Sequence, residues 1–511
     1  MVELAREGLH TCFYPYSAAG LTGEWSKVTG MEALLGRDVR LRAARSGGRP
    51  VTLYSAEPPG TDSVTLPEAN VSVVPVVPEA DPEARSALLA VWFDELWSLL
   101  HPRAFTAPAL PPELARVVYP PLGGIPPGSF ERVAAQVAHA RRSRADDSQV
   151  TDPEAAFTAR YEAALASVPP GTSVGWTEVF FADAILRHAG RLREKGVHQT
   201  LHCFLAHPES LHETPVGKRL LSAMSEVDCV FVQTDAYRRR LEHQLAALRL
   251  PVPEVRQFGL APDVDALCEA ARRPPPGESA RGGLDANQRA LVADALATRG
   301  SVPHRFLCPD RLDPIKGIHV VLEAVDRFLE QQEASLEALA SKFRFYFVTD
   351  YYTRHPPVDG TLAWHRYANH VRSRLIPMLR DRWPGVVWFA DNIPNRSIWA
   401  HLLVESHIVS GGIQEGFGLA VQEGLGVNAA LGIGRTLVIG DGAGIALQAA
   451  EEGVESLVWF PPAGDPEAFA QSLSEIVGIN EEAHLARSAA FAARFIRSHG
   501  DSLLEPGGPT A

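Results

Sequence analysis

Short runs of β-branched and aromatic residues alternate with longer stretches of helical periodicity along most of the chain. Strands buried on both faces of a parallel sheet form such apolar runs, and helices connect them, so the alternation predicts parallel α/β layers. The runs that we interpret as strands are 173–178, 200–207, 229–234, 305–310, 343–350, 386–391, 407–412 and 436–441. Helical stretches such as 181–195 and 214–226 lie between them.

Two further amphipathic stretches and two proline-rich stretches complete the pattern. Residues 86–101 place apolar side chains, including Trp97, on one helical face, and residues 483–497 form a second such helix. Proline-rich segments open an irregular region at about 103–150 and recur at 272–283, between the two strand sets. We expect the second proline-rich segment to separate two domains.

The length of the chain supports this division. At 511 residues it exceeds the size at which a single hydrophobic core stops growing. The predicted organisation is an N-terminal Rossmann-like domain (1–265, with the irregular insertion at about 103–150), a linker region (266–299), a C-terminal Rossmann-like domain (300–480) and a C-terminal helix and tail (481–511).

The charge and cysteine content disfavour several classes of protein. The formal net charge of −13 argues against nucleic acid as the main partner, because phosphate binding normally requires a basic surface. The five cysteines are far apart and form no CxxC pair, so they indicate neither a disulfide framework nor a zinc site. Since no signal-like or membrane-spanning run is evident, we expect a cytoplasmic protein without a membrane partner.

The stretch EGFGLAVQEG (415–424) directly follows the predicted strand 407–412. A strand, a glycine loop and a helix beginning near Gly418 would place free backbone N–H groups at the carboxyl edge of a parallel sheet. Such a position suits a phosphate or a cluster of sugar hydroxyls. Glu415 in the loop and Glu423 in the helix could each accept paired hydrogen bonds from a diol. Taken alone, the two carboxylates fit a purely structural role equally well, with Glu415 at a helix start and Glu423 on a solvated helix face.

The stretch RLDPIKG (311–317) follows the predicted strand 305–310. Arg311 and Lys316 lie on its turn, where two cations could neutralise a diphosphate leaving group. A single cation on a turn is usually only solvated. An anion-attracting stretch and a diol-attracting stretch in the same half of the chain favour the functional interpretation.

Together the two stretches resemble the donor half of retaining GT-B glycosyltransferases, and their flanks most resemble the trehalose-6-phosphate synthase family. Residues 93–105 resemble that family's acceptor helix. Residues 174–208 resemble its strand–helix–strand unit ending in a catalytic histidine, and residues 227–245 resemble the strand and helix that follow. The resemblance covers about 85–480 apart from the proline-rich insertion. It implies an α/β protein with the GT-B fold, in which two Rossmann-like domains face each other across a cleft.

The resemblance implies a donor site in the C-terminal half. Arg311 and Lys316 would hold the donor diphosphate. Glu415 would bind hydroxyls of the donor sugar, and Glu423 would bind the ribose of the nucleotide. The residues that would meet the sugar and phosphate at the helix start are Gly416, Phe417, Gly418 and Leu419.

The acceptor side departs from the family pattern. The resemblance assigns acceptor binding to Trp97 and Arg354 and catalysis to His207, although His207 directly precedes a proline that the family places one residue later. Gly20 lies in a glycine loop whose preceding strand lacks the family's arginine, and Glu178 stands where the family has a His-Asp pair. We assign both to acceptor binding. These departures indicate that the acceptor differs from glucose 6-phosphate.

The assignments predict a retaining hexosyltransferase that uses a nucleoside diphosphate sugar such as UDP-glucose or GDP-glucose. The acceptor would be a sugar or sugar phosphate, the product a trehalose-like 1,1-linkage, and a role in natural-product biosynthesis fits the altered acceptor side. In such an enzyme the leaving diphosphate accepts the acceptor's proton, so positioning and charge stabilisation suffice. No metal and no cofactor beyond the nucleotide sugar are expected, and a homo-oligomer is left open.

Three alternatives remain. A validoxylamine-type pseudo-glycosyltransferase, which couples cyclitols, shares the family resemblance and would show an altered acceptor side. A non-catalytic relative that only binds a nucleotide sugar is disfavoured by the intact Arg311, Lys316 and Glu423. An NAD-dependent oxidoreductase is supported only by the glycine run at 439–446, which lacks the GxGxxG spacing of a dinucleotide fingerprint.

Overall fold

The chain forms two parallel sheets flanked by helices. The computed structural model describes residues 11–14, 51–55, 71–75, 165–177, 182–203, 211–212, 215–257, 262, 264–275, 277, 283–349, 363–391, 393, 395–416 and 418–496.

The first sheet contains seven described strands, all paired in parallel, in the order β3-β2-β1-β4-β5-β6-β7. The strands are β1 (Thr11–Tyr14), β2 (Val51–Ser55), β3 (Val71–Pro75), β4 (Ser173–Thr177), β5 (His198–Cys203), β6 (Cys229–Val232) and β7 (Glu254–Gln257). The helices described among them are α1 (Ala182–Glu194), α2 (Pro215–Met224) and α3 (Asp235–Ala247). Apolar residues of β4 to β6 and of all three helices form one buried cluster.

The second sheet contains five described strands, also parallel, in the order β10-β9-β8-β11-β12. The strands are β8 (His304–Cys308), β9 (Phe343–Thr349), β10 (Val387–Asp391), β11 (His407–Ser410) and β12 (Leu437–Ile439). The helices around it are α4 (Val264–Arg272), α5 (Ala286–Ala297), α6 (Ile318–Gln331), α7 (Leu336–Lys342), α8 (Ala363–His370), α9 (Ile376–Arg382), α10 (Arg396–Leu403), α11 (Leu419–Ala430), α12 (Gly444–Glu451), α13 (Pro466–Val477) and α14 (Glu481–Phe491). Shorter helical turns occur at 314–316, 371–375, 455–457 and 492–496.

Alternation along the central strands divides the second core into two layers. Phe306 of β8 and Phe345 of β9 join a buried cluster with α6 and α13, whereas Leu307 and Tyr346 join the cluster with α10 and α11. Successive side chains of a strand point to opposite faces, so helices cover both faces of this sheet. The edges at which the strands end are then the places left for ligands.

Each sheet has a point at which the strand order reverses. It lies between β1 and β4 in the first sheet and between β8 and β11 in the second. The loops that leave such neighbouring strands diverge and open a crevice at the carboxyl edge, where open α/β sheets bind ligands. The loop after β8 contains Lys316 and the loop after β11 contains Glu415, so the two stretches singled out in the sequence meet at one crevice.

The carboxyl edges of the two sheets face each other where α3 meets α12. Tyr237, in the first turn of α3, donates a hydrogen bond from its hydroxyl to the carbonyl oxygen of Gly416 at 2.9 Å, in the loop after β11. The backbone N–H of Ala236 donates to Oε1 of Gln448 in α12 at 3.2 Å. The crevice of the second sheet therefore opens toward the first sheet.

The structure confirms the predicted α/β class with two parallel sheets, and each predicted strand corresponds to a described one. The predicted linker region 266–299 contains most of α4 and all of α5, and both helices pack into the second core. The predicted helix 86–101, the insertion 103–150 and the residues after 496 lie outside the described residues. None of the helices described here is long and apolar enough to cross a bilayer.

Candidate active site

The turn after β8 holds Lys316 in a defined position. The side chain of Asp313 accepts a hydrogen bond from the N–H of Ile315 at 3.1 Å, and Pro314 begins the turn. Gly317 ends it with φ of 61°, a left-handed conformation that side chains other than glycine rarely adopt. Lys316 is therefore the last residue of a short capped turn at the mouth of the crevice.

The loop after β11 packs directly on this turn, backbone against backbone. The N–H of Gly412 donates to the carbonyl oxygen of Lys316 at 3.1 Å, and the N–H of Ile413 donates to Ile315 at 2.9 Å. A Cβ atom on Gly411 would lie 2.4 Å from the carbonyl oxygen of Gly317, so only glycine permits the approach. Two loops from neighbouring strands thus form one rigid unit.

Within this unit, Lys316 and Glu415 form an ion pair between Nζ and Oε1. Their side chains are 15% and 7% exposed, so both charges are largely removed from water. Oε2 of Glu415 is buried and has no hydrogen-bond partner among the described residues. Since an unsatisfied buried carboxylate oxygen is costly, this atom marks a position where a ligand hydroxyl would be bound favourably.

Burial also sets the electrostatics around Lys316. It lowers the pKa of Lys316 from 10.5 to about 8, although the nearby Asp310 opposes the shift. Burial likewise raises the pKa of Asp310, against the effect of the Lys316 ammonium. Arg311 is partly exposed, and its Nη2 lies 3.6 Å from Oδ2 of Asp313. The site therefore contains two cations, Lys316 and Arg311. Desolvation disfavours the charged form of Lys316, and a bound anion would favour that form.

The start of α11 supplies backbone donors at the same crevice. The helix begins at Leu419, as predicted, and Gly418 precedes it with φ of 76°. No side chain of the described residues caps this end. The first N–H groups of a helix lack partners within the helix, and together with the helix dipole they attract anions.

Glu423 lies within α11 and faces α10. Arg396 binds it through two hydrogen bonds, from Nη2 to Oε1 at 2.6 Å and from Nη1 to Oε2 at 3.1 Å. Nε1 of Trp399 donates to Oε2 at 2.8 Å. The carboxylate is 3% exposed and is held in one orientation by a cation and an indole. Glu415 and Glu423 are thus positioned by different partners.

The glycine run at 439–446 is explained by packing of a third loop on this unit. A Cβ on Gly440 would lie 2.1 Å from the carbonyl oxygen of Gly411, and one on Gly442 would lie 1.9 Å from that of Ile413. The N–H of Gly444 donates to the carbonyl oxygen of Glu415 at 2.9 Å. These glycines serve close backbone contacts around the loop that carries Glu415.

The remaining sequence-predicted site residues cannot be placed. His207, Phe417, Trp97, Arg354, Gly20 and Glu178 lie outside the described residues. Sequence reasoning overlooked residues that the structure adds to the site, namely Asp310, Asp313, Arg396, Trp399 and Tyr237. The two aspartates flank Arg311 within one turn, and this spacing was a signal in the sequence. The described residues contain no group of three or more His, Cys, Asp or Glu side chains arranged to hold a metal ion.

Neither the scan against protein-family models nor the search of curated proteins finds a match for this chain. Solved structures do match over nearly the whole length. An α,α-trehalose-phosphate synthase (UDP-forming) from Burkholderia vietnamiensis has a TM-score of 0.65 at 16% identity, and the match covers 97% of this chain and 96% of that one. The protein has the GT-B fold of the trehalose-6-phosphate synthases.

Two further structures with this fold were solved with ligands. A UDP-forming trehalose-phosphate synthase from Burkholderia xenovorans in complex with glucose-6-phosphate has a TM-score of 0.63 at 12% identity, covering 97% of this chain and 99% of that one. A trehalose-6-phosphate synthase from E. coli bound with UDP-2-fluoro glucose has a TM-score of 0.60 at 12% identity, covering 97% and 98%. At these identities the match establishes the GT-B fold, and the reaction has to be argued from the site.

Proposed function

We propose that the protein is a retaining glycosyltransferase that moves a hexose from a nucleoside diphosphate sugar to a sugar or sugar-phosphate acceptor. The observation that carries the proposal is the buried Lys316–Glu415 pair at the switch point of the second sheet, with Oε2 of Glu415 left unsatisfied. A cation directly beside a carboxylate suits a ligand in which a diphosphate is attached to a polyhydroxylated ring.

The diphosphate would bind to Lys316, Arg311 and the first N–H groups of α11. Each of these groups attracts negative charge, and the burial of the Lys316 side chain strengthens its attraction for an anion. The loss of the glycosidic bond leaves additional negative charge on the diphosphate. Groups that are already in place for that charge lower the barrier without reorganising.

The two carboxylates would bind the two sugars of the donor. Glu415 would accept hydrogen bonds from hydroxyls of the hexose through Oε2. Glu423 would accept one from the ribose, because a carboxylate has about four acceptor positions and Arg396 and Trp399 hold it in a fixed orientation. Gly416, Phe417, Gly418 and Leu419 lie between them along the chain and would form the backbone surface beneath the hexose and diphosphate.

The chemistry would proceed on one face of the hexose. The bond between the anomeric carbon and the diphosphate oxygen breaks, and the bond to the acceptor oxygen forms on the same face. The acceptor's proton passes to the leaving diphosphate. This scheme uses no carboxylate nucleophile and no cofactor beyond the nucleotide sugar. His207, Trp97, Arg354, Gly20 and Glu178 are proposed for the acceptor side on the sequence resemblance.

A specific observation keeps a second function under consideration. The acceptor side departs from the trehalose-6-phosphate synthase pattern at Glu178 and beside His207, whereas the donor stretches are intact. A pseudo-glycosyltransferase that couples two cyclitols would use the same diphosphate-binding residues, Lys316 and Arg311, with a different acceptor. The mass of the product distinguishes the two, since a cyclitol product lacks the ring oxygen of a hexose.

The first experiment is thermal unfolding with UDP, GDP, ADP and NAD in parallel. A ligand at about 100 times its dissociation constant stabilises a protein by about 2.7 kcal/mol, which shifts the melting temperature measurably. We expect a shift with one nucleoside diphosphate. A shift with NAD alone would contradict the proposal and favour an oxidoreductase, and no shift would favour a relative that has lost donor binding.

Removal of the Lys316 charge tests the catalytic part. Lys316→Ala should lower turnover by roughly 10²–10³-fold, the usual effect of removing a group that stabilises transition-state charge. Lys218→Ala, which changes an exposed lysine of α2, is the matched control and should retain wild-type turnover. Circular dichroism establishes that both variants are folded. Near-normal turnover of a folded Lys316→Ala variant would refute the assignment.

A further inference from the structure

A residue of the first sheet's domain forms a hydrogen bond with the loop that carries Glu415. The hydroxyl of Tyr237, in α3 of the first sheet's domain, donates to the carbonyl oxygen of Gly416 at 2.9 Å and lies 3.5 Å from that of Glu415. Tyr237 is 1% exposed, so this hydroxyl needs a partner within the protein. The partner it uses is the backbone next to the candidate sugar-binding carboxylate.

The junction around these atoms leaves little freedom. The carbonyl oxygen of Glu415 also accepts the N–H of Gly444 at 2.9 Å. A Cβ atom on Gly444 would lie 1.9 Å from the carbonyl oxygen of Gly416 and 2.6 Å from the hydroxyl of Tyr237. The tyrosine, the loop and the start of α12 therefore meet at a point with no room for a side chain on α12.

Backbone contacts hold the loop on both sides of this point, and the N–H of Gln414 donates to the carbonyl oxygen of Ile315 at 3.2 Å. Gly411 and Gly412 fix its beginning against the turn after β8, and α11 fixes its end from Leu419 onward. Glu415 and Gly416 lie between these two ends, and Gly444 and Tyr237 restrain their carbonyl groups. The ion pair with Lys316 holds the carboxylate end of the Glu415 side chain, and Gly444 and Tyr237 hold the backbone from which that side chain projects.

The position of Tyr237 is itself well defined by the contact between α3 and α12. Thr234 caps α3 by accepting the N–H of Tyr237 at 3.1 Å. One residue earlier, Ala236 N–H donates to Gln448, and one turn of α12 further on, Glu451 pairs with Arg239. Two contacts therefore dock the start of α3 on α12, and the Thr234 cap fixes Tyr237 within its own helix.

We propose that Tyr237 is a positioning residue of the first domain that presents Glu415 to the donor sugar, so that the donor site is complete only when the two domains are in contact. This inference rests on the proposed function for its catalytic consequence. The tether itself is a structural statement that can be tested without any substrate.

The test compares Tyr237→Phe with Gln448→Met. Tyr237→Phe removes only the hydroxyl, whereas Gln448→Met disturbs the same helix contact without touching the loop. Hydrogen–deuterium exchange of the full chain should become faster in the peptide covering 411–421 for Tyr237→Phe alone. In Gln448→Met, faster exchange should be confined to the first turn of α3 and to α12.

Binding and turnover provide the second readout. In Tyr237→Phe the affinity for the nucleoside diphosphate should stay within about twofold of wild type, because Lys316 and Arg311 are unchanged. The kcat for transfer from the nucleotide sugar should fall roughly tenfold, the effect of losing one ordinary hydrogen bond from the transition state. Gln448→Met should retain wild-type kcat. This division between binding and turnover is not expected from a general loss of stability.

Three results would overturn the inference: unchanged exchange of the loop in Tyr237→Phe, equal effects of the two variants on the loop, or an unchanged kcat despite faster exchange. If the wild-type protein binds no nucleoside diphosphate, the proposed function fails, and the exchange measurement still decides whether Tyr237 holds the loop.

Discussion

Lys316 and Glu415 neutralise each other's charge in a buried ion pair. A nucleoside diphosphate sugar would replace that pairing on both sides at once, because its phosphates suit the ammonium and its hydroxyls suit the carboxylate. The partners are 99 residues apart in the sequence, and Glu423 and Arg396 are 27 apart. Residue types and spacing identified each glutamate as a candidate but contained no information on which cation it would face.

The lowered pKa of Lys316 predicts a pH dependence of binding. The folded value of about 8 lies below the ordinary 10.5, so between these values the unfolded chain holds the proton more tightly and the ligand-free fold gains stability as pH rises. Diphosphate binding requires the protonated form and should have the opposite dependence. We expect the affinity for the nucleoside diphosphate to fall by up to about tenfold per pH unit above pH 8.

Isothermal titration between about pH 7.5 and 9.5 measures this effect, since phosphate groups with a second pKa of about 6 are already ionised there. Lys316→Arg is the control, because a guanidinium keeps its charge throughout the range. A wild-type affinity that does not change across pH 8 would contradict the prediction.

Glu415→Gln should have opposite effects on two ligands. The amide releases Lys316 from its ion pair and removes a negative charge beside the diphosphate, so the bare nucleoside diphosphate should bind roughly three- to tenfold more tightly. The nucleotide sugar should lose turnover, because a neutral amide is a weaker partner for its hydroxyls. Titration at pH 7 and a transfer assay measure the two effects.

The matched control for that experiment is Glu455→Gln, which changes an exposed glutamate in a short turn. Glu455→Gln should change neither the affinity for the bare nucleoside diphosphate nor the turnover of the nucleotide sugar. Weaker binding of the bare nucleoside diphosphate by Glu415→Gln would mean that Glu415 supports the diphosphate rather than competes for Lys316.

At the scale of the element, burial on both faces explains why most strands could be predicted. Strands of the second sheet such as β9 are buried along almost their whole length and appear in the sequence as apolar runs. β7 was not predicted, because it is an edge strand with partly exposed Glu254 and Arg256 and no apolar run. The proline-rich segment 272–283 was expected to separate two domains, but the helices α4 and α5 beside it pack into the second core.

Three histidines lie together where β8 and β11 begin, and they predict how the stability of the second sheet depends on pH. Burial lowers the pKa of His304, His407 and His484, and the Arg435 guanidinium adds to each shift. Nδ1 of His407 accepts the N–H of Thr436 at 3.1 Å and cannot bind a proton without losing that bond. The folded state therefore holds these rings neutral more strongly than the unfolded chain does.

Since the folded pKa values lie below the ordinary value of about 6.5, the stabilisation is complete above pH 6.5 and is lost as pH falls further, by up to about 1.4 kcal/mol per pH unit for each ring. His407→Gln keeps an acceptor for Thr436 and should show a shallower fall of the melting temperature between about pH 6.5 and 4.5. His212→Gln, at an exposed position, should keep the wild-type steepness. Equal steepness in all three proteins would contradict the prediction.

At the scale of the whole molecule, the two sheets are joined where their carboxyl edges meet. Tyr237 and Gly416 are 179 residues apart in sequence, yet their hydrogen bond links a helix of the first domain to the loop that carries Glu415. This contact explains how residues from both halves of the chain could serve one reaction. The same hydrogen bond restrains the position of the loop after β11 relative to α3.

The periodicity of apolar residues was sufficient to predict the α/β class, the five described strands of the second sheet and three of the seven described strands of the first, because such patterns follow from local burial. The motifs around Lys316 and Glu415 were visible for the same reason, as each is contained in one loop after one strand. Their meeting at a single crevice depends on strand order, which reverses between β8 and β11. The ion pair, the orientation of Glu423 and the tether from Tyr237 were decided by tertiary structure alone, because each joins segments that come together only when the sheets assemble.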